Sequence, residues 1–596
     1  MPKTLTTSQV ALISMPWSLF NRPSVQLGAL KAYLETRSDV RVDCFHPYLA
    51  VARSLGPETY TALSKNSWAG EALYSAILFP EHKKSAAALF RKCCKNTPVI
   101  ANGFETYRQQ LQKALELWLD ATTFSSYDLV GFSVCFSQLF SSLAAASGIK
   151  KRNRTLPIVF GGSSCVGEMG TSLLEQFPQV DHIIAGEGEE QLLQLYRSLI
   201  RSGKNKNAAS TISCASETTP AALDCNTLPP ADYRPYFREL DSIFPGRPFR
   251  VRIPLEFSRG CWWRKCRFCN LNLQWQGYRY KNAEGLLQEL RLHIDDHHCL
   301  DYTFCDNALP PQETDRFFEA VKKWSIDLDF FAEIRAVNQP QTLALYRQGG
   351  LSGVQVGIEA LSSSLLKKMN KGTTVIENLA VLKYCKENNI RLDGNLIVEF
   401  PGSIQAEADE TLVNLDFALP FHPLSVATFF LGQGSPIDRD PKRYGIGAVT
   451  RHNYYASLFP PEILAHMHLL IKDYRGDKTI QQKRWQQVRR RVARWQEFHR
   501  KRKDPSLPAL GYRDGGSFLI IRQERLTGSA LMHRLKGISR LLYLFCATIR
   551  NLKEILRQFP QLEEKMVRHF LADLGKKHLL YAEDGKYLAL AIHVQR

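Results

Sequence analysis

The chain lacks any apolar run long enough to cross a bilayer, and its early apolar stretch is not expected to act as an export signal. That stretch, Val10 to Trp17, follows one lysine and is soon interrupted, so it is predicted to be a buried first strand. It also lacks the compact cysteine spacing of a disulfide framework. The 14 cysteines are scattered over 596 residues, which points to a reducing, cytoplasmic setting. No recognised nucleic-acid motif occurs. With 44% hydrophobic residues and ordinary glycine and proline usage, the chain is neither disordered nor fibrous. A soluble globular protein with several cores is expected.

Positive charge is abundant, and the formal net charge of +19 is partly local. Lys483-Arg484, Arg489-Arg490-Arg491, Arg494 and Arg500 to Lys503 fall in one segment, where Trp485, Val488, Val492, Trp495 and Phe498 recur at helical spacing. Residues 478–503 therefore read as an amphipathic helix with a basic outer face. Two readings stand: a solvated face over a packed stripe, or a surface for an anionic partner. Without a motif, nucleic acid is disfavoured, and no membrane partner is expected.

Residues 1–205 alternate strands and helices. Val10 to Met15, Val40 to Phe45, Leu129 to Ser133, Ile158 to Phe160 and His182 to Ala185 are strands, and Leu27 to Leu34 and Leu139 to Ile149 are helices. This pattern predicts an α/β, doubly wound parallel sheet of Rossmann-like form, with its ligand at the strand ends. Residues 206–250 form a polar connector. Residues 251–445 alternate again, with strands ending at Ser258, Cys305, Arg335, Glu359, Phe400 and Phe430. Six such units make a partial barrel of the triose-isomerase kind, whose function gathers at the carboxyl ends of its strands and whose inward Val and Ile fill the interior. Residues 446–504 are read as helical and basic. Residues 505–596 combine a hairpin at Asp514-Gly515-Gly516, three helices and a terminal hairpin, an α+β, winged-helix-like pattern. Winged helices bind DNA, bind peptides or simply pack.

Chemistry concentrates in Ser258-Arg259-Gly260-Cys261-Trp262-Trp263-Arg264-Lys265-Cys266-Arg267-Phe268-Cys269. A zinc knuckle needs four protein ligands, and no Cys or His follows Cys269 until His293. Three thiolates instead suit three corners of a [4Fe–4S] cube, leaving one iron open to another ligand.

The motif resembles the cluster loop of the radical S-adenosylmethionine (SAM) superfamily, with four residues between its first two cysteines rather than the usual three. That resemblance implies metal ligation by Cys261, Cys266 and Cys269, and a SAM site formed by Phe268, Asp306, Asn307, Arg335, Glu359 and Asn395. In it Arg335 meets the methionine carboxylate and Glu359 the ribose hydroxyls. The first block resembles the cobalamin-binding domains that precede many such enzymes, which implies cobalamin near Trp17, Ser133, Gly161, Gly162, Gly186, Glu187 and Gly188. No Asp-x-His-x-x-Gly signature occurs, so no histidine ligand to cobalt is expected. Leu228-Pro229-Pro230-Ala231-Asp232-Tyr233 resembles the joint between the two domains.

Met15-Pro16-Trp17 with Arg22-Pro23-Ser24, Gly131-Phe132-Ser133, Phe160-Gly161-Gly162, Gly186-Glu187-Gly188-Glu189, Cys261-Trp262-Trp263, Gly357-Ile358-Glu359 and Tyr512-Arg513-Asp514-Gly515-Gly516 resemble the maturation radical SAM C-methyltransferases of ribosomally synthesised peptides. The likeness implies [4Fe–4S], SAM and methylcobalamin as cofactors. It further implies methyl transfer to an unactivated carbon of a precursor peptide whose leader binds 505–596, with flavodoxin or ferredoxin as electron donor. No general base is demanded. The alternatives are a small-molecule acceptor (methylation, cyclisation or rearrangement) and a non-enzymatic binding protein. A tRNA methylthiotransferase is disfavoured, because the first block has no second three-cysteine set.

Overall fold

Short runs of Val, Leu, Ile and Phe, too brief for helices and closed by glycine or serine, build the first sheet. The computed structural model describes residues 8–97, 100, 103–201, 211–213, 222–275, 277–337 and 339–594. Within it Arg41–Phe45, Gln9–Ser14, Leu129–Ser133, Ile158–Gly161, His182–Ile184 and Thr211–Ser213 lie side by side, all parallel. The order reverses beside Gln9–Ser14, which opens a crevice at the strand ends. Val10, Leu12, Leu129, Val159 and Ile184 face helices Val25–Arg37 and Glu189–Arg201. The opposite face, including Ile13, Val130, Phe132 and Phe160, is covered by a large helical layer that includes Ser67–Leu78 and Leu139–Arg152.

One strand lies further along than expected. Thr211–Ser213 extends the first sheet beyond residue 205, from the stretch read as connector, because a parallel edge position needs only three residues to pair with His182–Ile184. Residues 206–210 and 214–221 of that connector lie outside the described residues. Its later part is structural: Asp232 N–H donates to the Gly28 carbonyl (3.0 Å), and the buried Tyr233 hydroxyl donates to Pro254 O (2.8 Å). Tyr233 thereby bolts helix Val25–Arg37 to the start of the second sheet.

That second sheet runs in chain order: Ile253–Leu255, Asp301–Phe304, Asp329–Ile334, Leu351–Glu359, Arg391–Val398 and Ser425–Thr428, all parallel. Both outer strands are edges, so the barrel is partial. The expectation that Val and Ile fill its interior is corrected. Val354, Val356, Ile358, Leu392, Leu396 and Val398 are buried against the outer helices, while Gln355, Asp393 and Asn395, on the alternate positions, are exposed. Period-two alternation sends every second residue to the helix-free face, and a barrel left open for a ligand keeps that face polar.

The third block differs from a purely helical start. Ala448–Arg451 and Ile471–Arg475 form a small antiparallel sheet with Leu431–Gly432. The basic helix, Lys478–Lys501, follows and lies against the barrel. Trp485, Val488, Val492 and Trp495 are buried, and the Trp495 indole N–H donates to Leu419 O and Phe421 O. Several of its cations are paired with the barrel, Arg489 with Glu399 and Arg491 with Asp416. The last block carries the predicted hairpin, Leu510–Asp514 with Phe518–Gln523, plus an outer strand, Leu531–Lys536, that the sequence reading missed. Among the described residues no helix is long and apolar enough to cross a membrane.

Candidate functional site

The carboxyl ends of the two sheets face one another across a single cavity. One wall is Gly131, Ser133, Gly161, Gly162, Gly186, Glu187 and Gly188; the other is Glu256, Ser258, Arg259, Gly260, Gln274, Trp275, Cys305 and Asn307. Deeper in, Leu12, Leu27, Val159, Ile184 and Leu192 line a slot between the first sheet and its helices. Among the described residues no histidine lines the cavity. Gly162 holds φ at 110°, and a Cβ there would stand 2.7 Å from Val134 O. A Cβ on Gly161 would meet nothing nearer than Ile184, at 3.7 Å, so its missing side chain leaves the wall open.

Arg259 fastens the two walls together. Its guanidinium is 4% exposed and meets three carboxylates: Glu187 at 3.0 Å, Glu189 at 2.5 Å and Glu256 at 2.9 Å. Glu187 is held by Arg279 as well. Burial opposes charge at Glu189, but Arg259 outweighs it and holds the carboxyl below its ordinary range. Glu187 was expected to touch cobalamin; both of its oxygens are engaged by arginine, so it borders the cavity as part of this clamp.

The cysteine loop leaves the clamp directly. Gly260 has φ of 83°, and a Cβ would lie 2.6 Å from Gly277 O, so only glycine turns the chain there. Asn272 Oδ1 accepts from Cys261 N–H (2.9 Å), Met369 O from Arg267 N–H (2.9 Å), and Asn370 O from the Trp263 indole (2.9 Å). Cys261, Cys266 and Cys269 are half-buried. Burial raises the Cys266 thiol and pushes Cys269 up to about 11; Cys261 adds to both shifts, Cys266 adds to that of Cys269, and the Lys371 cation pulls both back down. Among the described residues no three potential metal ligands are drawn together into a formed site. The donor set nevertheless fits a cluster: three neighbouring thiols on one loop, with the Lys371 cation favouring the thiolate forms of Cys266 and Cys269.

The residues expected around SAM divide. Glu359 ends its strand in the left-handed region (φ 61°) and pairs with Lys371 at 3.1 Å. Arg335 stacks over Trp262 and Trp263 (5.1 and 4.6 Å) and donates to Lys371 O. Asn395 is exposed on the inner face, Asn307 lines the cavity, and Phe268 packs half-buried on the barrel core. Two expectations are corrected. Asp306 is buried outside the cavity wall, with its carboxylate accepting from Phe257 N–H (3.1 Å) and the Ser258 hydroxyl (2.5 Å), so it braces the root of the cysteine loop. Trp17 is 3% exposed and wedged between Tyr60 and Tyr74, away from the cavity, because Gly70 of helix Ser67–Leu78 leaves a slot for its indole. Sequence reasoning missed Lys371, Asn272, Glu333 and the role of Arg259. Each acts on residues distant in sequence, and no local spacing announces them.

Residues 255–412 match the family model of the radical SAM superfamily, so the chain carries a radical SAM domain, and the three-cysteine loop lies within it. The chain is 26% identical over 267 residues to the anaerobic magnesium-protoporphyrin IX monomethyl ester cyclase of Cereibacter sphaeroides, covering 41% of this chain and 42% of that protein. It spans about half the length of the curated relatives it matches first. In fold it resembles the radical SAM methyltransferase TsrM from Kitasatospora setae, solved with tryptophan and a SAM analog (TM-score 0.53, 14% identity, 82% of this chain and 89% of that one). It also resembles the cobalamin-dependent radical SAM enzyme OxsB, solved with aqua-cobalamin and SAM (TM-score 0.50, 16% identity, 74% and 56%).

Two outcomes are expected. Arg259→Met leaves the buried Glu189 and the half-buried Glu256 without their cation, while Glu187 keeps Arg279, and lowers stability by about 3–5 kcal/mol in thermal or urea unfolding; an unchanged midpoint contradicts the clamp. Desolvation pushes Asp306 up to about 7 from 3.8, against its two hydrogen bonds. The folded state then keeps a proton that the unfolded chain loses, so this contribution is full below the unfolded value and is lost as pH rises through the folded one. Asp306→Asn flattens that decline by at most about 1.4 kcal/mol per pH unit, read from denaturation midpoints across the range.

Proposed function

We propose that the chain is a cobalamin-dependent radical SAM methyltransferase. In this reading Cys261, Cys266 and Cys269 hold a [4Fe–4S] cluster, the polar inner face of the barrel holds SAM, and the cavity at the first sheet holds cobalamin. The supporting observation is the shared cavity itself, walled by glycines of the first sheet on one side and by the root of the cysteine loop on the other. Its apolar slot, open mouth and missing side chain at Gly161 suit a large planar ligand with a buried extension. When bound, the cluster with SAM supplies a carbon-centred radical and methylcobalamin supplies the methyl group.

The chain's own residues position and enclose. Glu359, turned inward by its left-handed backbone and steadied by Lys371, offers two acceptor oxygens to a ribose. Arg335, fixed between two indoles and a carbonyl, presents its remaining N–H groups to a carboxylate. Exposed Arg264, Lys265 and Lys367 at or beside the cysteine loop suit an acidic electron donor such as flavodoxin or ferredoxin.

The acceptor is proposed to be an unactivated carbon of a ribosomally synthesised peptide. Support comes from the free outer edge of Leu531–Lys536, whose backbone is available to an added leader strand. A small-molecule acceptor is the second reading, favoured by the protoporphyrin-ester cyclase among the relatives.

Anaerobic reconstitution followed by mass spectrometry of peptide and small-molecule acceptors separates these readings. Iron–sulfide and corrinoid absorbance is expected, as is methyl transfer from SAM; the absence of both chromophores overturns the proposal. Replacing all three cysteines by alanine abolishes iron binding and turnover while leaving the far-ultraviolet circular dichroism unchanged. Gly161→Leu projects into the slot and lowers bound corrinoid at least about tenfold with iron content intact; normal corrinoid loading would place that ligand elsewhere.

A further inference from the structure

A second cavity adjoins the first and shares Val25, Gln26 and Cys305 with it. Part of its wall, Thr303, Cys305, Phe331 and Glu333, belongs to the barrel. Most of the rest comes from residues 18–26, the loop after the first strand of the other sheet and the first turn of its first helix. Ile253–Leu255 is an edge strand, and this loop closes the barrel beside it. Arg252 N–H donates to Asn21 O (3.0 Å), and Asn21 Nδ2 donates to Arg250 O (3.1 Å). The hydroxyls of Tyr48, Tyr60 and Tyr236 donate to the carbonyls of Arg22, Ser18 and Phe20 at 2.9, 2.6 and 2.8 Å. The loop backbone is therefore held from several sides.

Its one cation has no counterpart. The Arg22 side chain makes no hydrogen bond or ion pair among the described residues, and its Nε is shut off from water. Burial lowers its pKa, and the nearby Arg252 guanidinium lowers it further. Arg252 itself is satisfied by Asp329 at 2.6 Å. Glu333 lines the same cavity, also without a hydrogen bond or ion pair among the described residues, and the two do not pair with each other. Desolvating a charge with no partner is expensive, so buried charges are ordinarily matched. A guanidinium that lines a cavity on a braced backbone, with no protein partner among the described residues, is free to pair with what enters it.

We infer that Arg22 anchors a carboxylate of the acceptor substrate, which lies in the barrel interior between Arg22 and Glu333. A guanidinium fork binds a carboxylate through two parallel N–H···O bonds, which fixes orientation as well as position. An acidic residue of a peptide and a small organic acid present the same group. The inference rests on the proposed function only for the fate of the bound molecule; the anion site itself does not depend on methyl transfer.

Cys305 opens into this cavity and reports on it. The full-length chain is treated with iodoacetate, an anion, and with iodoacetamide, its neutral counterpart, and alkylation of Cys305 is followed by peptide mass spectrometry. Arg22→Gln is expected to lower the iodoacetate-to-iodoacetamide rate ratio at Cys305 about tenfold, with Arg22→Lys in between. An unchanged ratio in both variants overturns the inference. Succinate and N-acetyl-aspartyl-methylamide are then tested as protectants of wild-type Cys305 against iodoacetate. Protection by the first alone identifies a free acid, protection by the second an acidic residue in a chain, and protection by neither also overturns it. A lowered ratio in a chain that transfers no methyl group retains the anion site and removes the proposed function. Methyl transfer with an unchanged ratio does the reverse.

Discussion

Arg259 lies where the carboxyl ends of the two sheets meet and ties one to the other. Its guanidinium is surrounded by Glu187 and Glu189 from the first sheet's last described loop and by Glu256 from the barrel's first. Ions so far from water must stay paired, since separating them leaves several uncompensated charges at once. The crevice of one sheet and the strand ends of the other are thus obliged to face each other. Because Gly260 and Cys261 follow immediately, the same contact sets where the thiol loop begins. The cavity is the space this arrangement leaves.

A partial barrel is a cost that the rest of the molecule offsets. Edge strands expose unpaired backbone and an interior that side chains do not fill. Here the loop of residues 18–26 covers one edge and the small sheet around Ile471–Arg475 follows the other. The basic helix is buried through its tryptophan stripe against the barrel, which accounts structurally for a charge run that composition left ambiguous. The interior stays polar, with Glu333, Gln355, Glu359, Asp393 and Asn395 on the inward positions. Glu359 and Glu399, ending adjacent strands, share the left-handed backbone, a conformation that non-glycine residues adopt at energetic cost and that often marks functional positions.

Periodicity made most of the architecture legible. Strands such as Leu129–Ser133 and helices such as Pro340–Gln348 could be read because hydrophobic spacing and terminating residues are local signals. The thiol loop was legible for the same reason, its three cysteines being close along the chain. Short pairings were not: Thr211–Ser213 and Leu531–Lys536 are strands because of the neighbours they meet, and neither carries a distinctive pattern of its own.

The sequence alone determined the alternation of strands and helices, the two parallel sheets and the candidate cluster ligands, since each is written within a few consecutive residues. Tertiary structure alone decided that Asp306 braces a loop, that Trp17 fills a helical slot, that Lys371 accompanies Glu359 and that Arg22 lines a cavity beside the barrel with no partner among the described residues. The physical reason is range. Hydrophobic period and thiol spacing act along the chain, whereas the worth of a buried charge depends on what stands across the cavity from it, and residues that meet there are separated by tens to hundreds of positions.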